Sequence, residues 1–129
     1  MLNLMKHSAS IHWGKAFGGA MGAMVTLFAI GYLYVVFYSY VVNPGQAEAA
    51  YERHAQAAVP IVAVIAGIPL FYVLGRIAGS RETAIASWGI FALLDVGISL
   101  AAGFDLRAAL LCLLDLPLKF FALRLGWRA

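Results

Sequence analysis

Four long runs of apolar residues, separated by short polar or glycine-containing breaks, make up most of the chain. They cover approximately residues 16–42, 57–79, 84–103 and 106–125. A run of about 20 residues, folded as a helix, rises roughly 30 Å and crosses the hydrocarbon core of a bilayer. A membrane barrel would show more numerous, shorter segments of alternating polarity. The pattern therefore predicts an all-α integral membrane protein, with residues 1–129 forming one domain, a bundle of four transmembrane helices.

The breaks between the runs contain turn-forming and helix-capping residues. We expect Asn43 to cap an amphipathic helical extension of the second span, over residues 44–56, that lies outside the membrane. A Gly-Ser-Arg-Glu break over residues 79–82 separates the second and third spans. Asp105 is placed to cap the fourth span after a tight turn. A cleaved signal peptide is the alternative for the first run, but that run is about twice the usual length.

Positive charges are distributed unequally between the two ends of the predicted spans. With the N-terminus inside, two basic residues, Arg53 and Arg107, lie at the outer ends. The basic residues at the cytoplasmic ends are Lys6, Lys15, Arg76, Arg81, Lys119, Arg124 and Arg128. Because Lys and Arg are enriched on the cytoplasmic side of membrane proteins, we expect both termini in the cytoplasm. The expected location is a bacterial inner (plasma) membrane.

The composition indicates that lipid, rather than water, surrounds the chain. Apolar residues make up 64% of it and charged residues 12%, with a mean hydropathy of +0.88. A soluble domain carries about 25% charged residues. The net charge is only +3 and the basic residues do not cluster, so no nucleic-acid partner is expected. The single cysteine, Cys112, excludes an internal disulfide and a paired-cysteine metal or redox motif.

Glycines recur every four residues in two of the predicted spans. Gly14, Gly18 and Gly22 form one stripe, a glycine zipper, and Gly75 and Gly79 form a second stripe near the same membrane face. Small residues at this spacing let helices approach closely in lipid. Two interpretations stay open. The stripes pack the first span on the second, or they form an interface with another copy of the chain or with other membrane subunits.

Two aspartates interrupt the apolar runs of the third and fourth spans. Asp95 precedes Asp105 by ten residues, and Asp115 follows it by ten. In an antiparallel pair of helices both carboxyl groups then lie about 15 Å from the turn, near the bilayer centre. A charged aspartate there costs at least ~2.5 kcal/mol, so each should be protonated or paired. Lys119, one turn from Asp115, and Arg76 of the second span are the candidate cations.

Small and polar residues around each aspartate predict which helix face points inward. In the third span these residues are Trp88, Ala92, Asp95, Ser99 and Ala102. In the fourth span they are Ala108, Cys112, Asp115, Lys119 and Ala122. The leucine-rich faces opposite should contact lipid. The predicted proton, cation or substrate site consists of Asp95, Asp115, Lys119, Ser99, Trp88 and Arg76.

These features are compatible with three functions. The first is a small oligomeric transporter that exchanges a proton for a cation or polar solute at the aspartates. The second is a non-catalytic subunit or assembly factor of a larger membrane complex. The third, an enzyme acting on a lipid or quinone, is disfavoured because no second catalytic group accompanies the aspartates. A purely structural role for both aspartates is the remaining alternative. No catalytic or metal-binding motif is present in the sequence, and the sequence does not identify a cofactor.

Overall fold

The computed structural model describes residues 11–103 and 105–128, which form four α-helices joined by short turns. The helices are α1 (Trp13–Phe37), α2 (Glu48–Ile77), α3 (Arg81–Ala101) and α4 (Leu106–Arg128). One π-helical turn, Tyr38–Val42, extends α1. No strand occurs in these two stretches, so the predicted all-helical class is confirmed. Lys6, one of the basic residues expected at the cytoplasmic side, lies outside the described residues.

Capping side chains fix the starts of α3 and α4. Ser80 Oγ accepts a hydrogen bond from the backbone N–H of Thr83 at 3.1 Å. Asp105 Oδ1 accepts one from the N–H of Ala108 at 2.8 Å, as expected for an N-cap. Gly103 precedes Asp105 with a φ of +95°, a conformation that glycine adopts without strain. The tight turn before α4 therefore follows from its local sequence.

The turn between α1 and α2 differs from the prediction. Asn43 does not cap α2. It ends the π-helical turn instead, and its backbone N–H donates to the Tyr38 carbonyl at 2.9 Å. Gly45 then takes a φ of +81°, which turns the chain away from helical geometry, so α2 begins only at Glu48. The predicted helix over residues 44–56 is correct from Glu48 onward and wrong before it.

The four helices form a ring in which α2 and α3, although consecutive in the chain, are not neighbours. Helix α1 packs against α2 and α3, and α4 packs against the same two helices. Helices α2 and α3 lie diagonally opposite with little contact, although only residues 78–80 join them. Because consecutive helices reverse direction, α1 runs parallel to α3 and α2 runs parallel to α4. The molecule is thus two helical hairpins, α1–α2 and α3–α4, packed side by side.

The most extensive interface joins α2 to α4, and glycines make it possible. A methyl group added to Gly75 would overlap the backbone carbonyl of Leu123. One added to Gly126 would overlap the backbone carbonyl of Tyr72. A backbone carbonyl cannot move aside unless the helices separate, so these two positions require glycine. Gly75 of the predicted stripes is therefore buried between helices of one chain, and Gly79 lies in the turn after α2 with a φ of +84°.

Helix α1 packs through alanines rather than through its glycine stripe. The buried alanines of α1 are Ala16, Ala20 and Ala23. Ser87 of α3 donates a hydrogen bond to the Ala16 carbonyl at 3.0 Å, which ties the parallel helices together. The glycines of the predicted stripe, by contrast, are exposed, with open space where a side chain would stand; they are Gly14, Gly18 and Gly22. The stripe on α1 therefore does not pack α1 against α2.

Three of the described helices are long and apolar enough to cross a membrane: α1 with its π-helical turn, α2 and α3. Large apolar side chains are exposed along all four helices, as expected for contact with lipid. Helix α4 is long enough but not apolar enough to belong to this group, because charged residues recur along it, at Arg107, Asp115, Lys119 and Arg124. The three apolar helices indicate a membrane-embedded protein.

Candidate functional site

A cavity of about 250 Å³ lies between the helices, and all four helices contribute to its wall. The polar part of the wall comes from the hairpin α3–α4. It consists of Asp95, Ser99, Cys112, Asp115 and Lys119. The part from α1 and α2 is apolar throughout. Charged groups in an apolar enclosure interact more strongly than they do in water, so this cavity is the chief candidate for a functional site.

Within this cavity, Lys119 and Asp115 form an ion pair one turn apart on α4, between Nζ and Oδ2. Lys119 is 1% exposed and Asp115 is 7% exposed. The predicted pairing of Lys119 with Asp115 is therefore present. The other carboxylate oxygen, Asp115 Oδ1, is also buried, and no group in the described residues donates a hydrogen bond to it. An unpartnered buried acceptor costs roughly 1–3 kcal/mol, so a proton or cation near Oδ1 would stabilise the site.

The side chain of Lys119 is held by three helices. Its Nζ lies 5.3 Å from the ring centroid of Phe91 on α3, within the range of a cation–π interaction. Its aliphatic part lies against Gly67 on α2, where an added Cβ would stand 2.5 Å from Lys119 Cε. Glycine at position 67 is therefore what leaves room for a buried lysine. Sequence analysis missed Gly67, since it belongs to no glycine repeat and its partner lies on another helix.

Asp95 lines the same cavity from α3 but is not part of the ion pair. It is half-buried, and no side chain or backbone group within residues 11–103 and 105–128 forms a hydrogen bond or ion pair with its carboxylate. When ionised, the two carboxylates outnumber the single ammonium of Lys119, which leaves one net negative charge in the cavity. Asp95 is therefore the carboxyl group of the cavity that has no partner among the described residues.

Two of the residues predicted for the site lie elsewhere. The indole N–H of Trp88 donates to the Leu116 carbonyl at 3.1 Å, and the ring lies in a separate groove on the outside of α3 and α4. Arg76 is exposed near the end of α2 and does not line the cavity. The predicted face of α4 is the one that lines the cavity, whereas α3 presents Phe91 where Trp88 was expected.

A second polar cluster, outside the cavity, joins the end of α1 to the start of α2. Tyr34 Oη and His54 Nε2 are 2.8 Å apart, and the His54 ring stacks on Tyr38 with centroids separated by 3.6 Å. Tyr51 meets the Tyr38 ring edge-on and donates a hydrogen bond to the Asn43 carbonyl at 2.9 Å. The sequence alone did not predict these contacts. Their contacts hold the π-helical turn in place, so the role of this cluster is structural.

Comparison of the chain with known proteins adds no information about its function. No protein family model, curated protein or solved structure matches the chain. In the part of the chain that the structure describes, no three His, Cys, Asp or Glu side chains converge as a metal site would require. The ionisable groups that the central cavity offers are the carboxyl groups of Asp95 and Asp115 and the ammonium group of Lys119.

Proposed function

We propose that this protein is a small proton- or cation-coupled transporter that crosses the bacterial inner membrane with four helices and acts as an oligomer. One observation carries the proposal: two carboxylates and one ammonium line a single cavity enclosed by all four helices. Ionisable groups inside a membrane-embedded bundle are costly, and they mark the paths of protons and ions in pumps and transporters. Lipid, and further copies of the chain, are the expected surroundings.

A fourth crossing by α4 is supported by its dimensions and by where its charges point. Its 23 residues rise about 34 Å, enough for the hydrocarbon core. The central charges, Asp115 and Lys119, are buried against the other helices. The face of α4 that is exposed is rich in leucine. With four crossings, both termini lie on the same side, and the excess of Lys and Arg assigns that side to the cytoplasm. Reporter domains fused to either terminus should both register cytoplasmic exposure.

In the proposed cycle, Asp95 alternates between a protonated and a cation-bound state. When a cation enters the cavity, the Asp95 carboxyl releases its proton, and the carboxylate then neutralises the cation. Lys119 remains bound to Asp115, so the cavity never holds two unpaired negative charges at once. Departure of the cation leaves a half-buried carboxylate without a partner, which takes up a proton because an unpaired charge is unstable inside the bundle.

Proton flux driven by a cation gradient in proteoliposomes tests the proposal. Asp95→Asn should abolish coupled flux, because the amide can neither release a proton nor neutralise a cation. Asp105→Asn is the matched control, since Asp105 lies outside the cavity and asparagine caps helices as well as aspartate does. Wild-type flux in both Asp95→Asn and Asp115→Asn would refute the assignment.

A second candidate function, a subunit or assembly factor of a larger membrane complex, is favoured by the uncovered stripe Gly14, Gly18 and Gly22. A Cβ added at position 18 or 22 meets no atom of the described residues within 4 Å, so we expect a larger side chain there to leave the fold intact and to obstruct only a partner. Purification in mild detergent separates the two functions. Stable association with other subunits, lost in Gly18→Leu, supports this candidate. A homogeneous assembly of this chain alone supports the transporter.

A further inference from the structure

A second recess lies on the outside of the hairpin α3–α4, separate from the central cavity. It is a groove of about 850 Å³, lined by apolar and aromatic side chains that include Trp88, Leu116, Pro117 and Phe120. Phe120 stands edge-on to Trp88, with ring centroids 5.1 Å apart, and forms a rigid end to the groove. In a membrane this groove faces the acyl chains.

Only Cys112 among the lining residues belongs to both the groove and the central cavity. At its level the wall between the two recesses consists of small side chains, with Ser99 Oγ and Cys112 Sγ 4.0 Å apart. The contact between α3 and α4 is also the least extensive of the four contacts around the ring. The least extensive helix contact of the ring therefore separates a lipid-facing apolar groove from the cavity that holds the two carboxylates.

We infer that this part of the protein binds an amphiphilic organic cation that enters from the lipid, with its ammonium head in the central cavity and its apolar tail in the groove. This inference rests on the proposed transport function and names its substrate class. The charge fits, because the Asp95 carboxylate has no partner in the described structure and Asp115 Oδ1 is a buried acceptor without a donor. The aromatic rings of Phe28 and Phe91 in the cavity wall suit an ammonium group.

The lining and the size of the cavity favour an organic cation over an inorganic one. A metal cation such as Ca²⁺ or Mg²⁺ needs about six oxygen ligands, and the side chains of this wall supply fewer, from Asp95, Ser99 and Asp115. A primary ammonium group has three N–H donors, the number of acceptors that the two Asp95 oxygens and Asp115 Oδ1 offer, and its alkyl tail suits apolar walls. At about 30 Å³ for a group of the size of a water molecule, a volume of about 250 Å³ holds roughly eight such groups, so a tail of about twelve carbons must extend beyond the cavity, and the groove beside Cys112 is the apolar space adjoining it.

Cys112 is the only cysteine of the chain, so the unmodified protein carries its own reporter between the two recesses. The experiment measures the rate at which a lipid-soluble maleimide alkylates Cys112 in proteoliposomes, with and without dodecylammonium. Bound dodecylammonium should slow alkylation about tenfold at ten times its dissociation constant. Dodecanol, which has the same tail and no charge, should give little protection. The Asp105→Asn protein should behave as the wild type, and the Asp95→Asn protein should lose protection.

Three results would overturn the inference. They are an unchanged alkylation rate with dodecylammonium, equal protection by dodecanol, and full protection of the folded Asp95→Asn protein. Any of these results alongside normal coupled flux of a small inorganic cation leaves the proposed function standing and removes only the substrate class. If the wild-type protein shows no coupled flux but dodecylammonium still protects Cys112 from alkylation, the transport function is refuted and the binding site is retained. Circular dichroism and gel filtration of each variant show that a lost signal is not lost folding.

Discussion

At the scale of single residues, Lys119 is the side chain on which the central cavity depends. A lysine that is 1% exposed is destabilising unless it is neutralised and its stem is packed. Asp115 supplies the negative charge, Phe91 supplies an aromatic face and Gly67 supplies the space. The ion pair itself is local, one helical turn apart, but the space that admits it is created by a different helix.

Gly67→Ala should therefore destabilise the protein by about 1–3 kcal/mol, the usual cost of overpacking a core. The new methyl group collides with the Lys119 stem, which is confined by its bond to Asp115. Denaturant titration in mild detergent measures the free energy of unfolding. Gly89→Ala in α3 is the matched control, because no atom lies within 4 Å of the added methyl group and alanine favours helix. Equal stability of the two variants would contradict this role for Gly67.

The ion pair should behave as a coupled unit in a double-mutant cycle. Removal of one partner, by Asp115→Leu or Lys119→Met, leaves an unpaired buried charge and should cost about 3–5 kcal/mol. The double variant replaces the pair with apolar groups and should be more stable than either single variant. Additive losses would show that the two side chains do not act together. Flux in the stable double variant then shows whether the pair serves function as well as structure.

The sequence was informative about the depth of the aspartates and uninformative about rotation of the helices. Equal spacing from Asp105 predicts that Asp95 and Asp115 lie at one level, and they line one cavity. The rotation of α3 could not be predicted, because Trp88 and Phe91 are both large aromatic residues one turn apart and either fits an inward face. Which of them faces inward is decided by the α3–α4 contact, a property of the assembled bundle.

At the scale of helices, the apolar runs and turn residues were sufficient to predict the four helices, but not which glycines pack. The periodic pattern marks Gly14, Gly18 and Gly22, which are exposed, and misses Gly126, which is buried between two backbones. The spacing of glycines along one helix predicts only that this helix has a smooth face. Whether another helix covers that face depends on the order of the helices around the ring, which the turns alone do not specify.

Gly75→Ala should be more damaging than any substitution in the exposed stripe. Its methyl group meets the Leu123 backbone, so relief requires α2 and α4 to move apart, with a loss of about 3 kcal/mol or more. Gly18→Ala, in open space, should leave the free energy of unfolding unchanged or slightly increased. The same denaturant titration compares the two variants. A larger loss for Gly18→Ala would mean that α1, rather than the α2–α4 contact, controls stability.

At the scale of the whole molecule, the contacts between the two hairpins exceed those within them. The most extensive interfaces are α2 with α4 and α1 with α3, and both join one hairpin to the other. The central cavity lies where these interfaces meet, so its wall is complete only after the hairpins have associated. Relative movement of the hairpins is therefore the motion best able to change access to Asp95.

This arrangement has a consequence for how the protein is assembled in the cell. With the proposed four crossings, each hairpin spans the membrane twice and should insert on its own, and the α2–α3 turn at residues 78–80 contributes little to holding the halves together. Two separately translated fragments, one ending at Gly79 and the other starting at Ser80, should find each other in the membrane and restore function. Co-purification of a tagged N-terminal fragment with the C-terminal one measures this complementation, and Gly75→Ala should abolish it. If such a protein arose by fusion of two genes, or if its gene were divided into two, the halves would need no contact beyond those that already join the two hairpins.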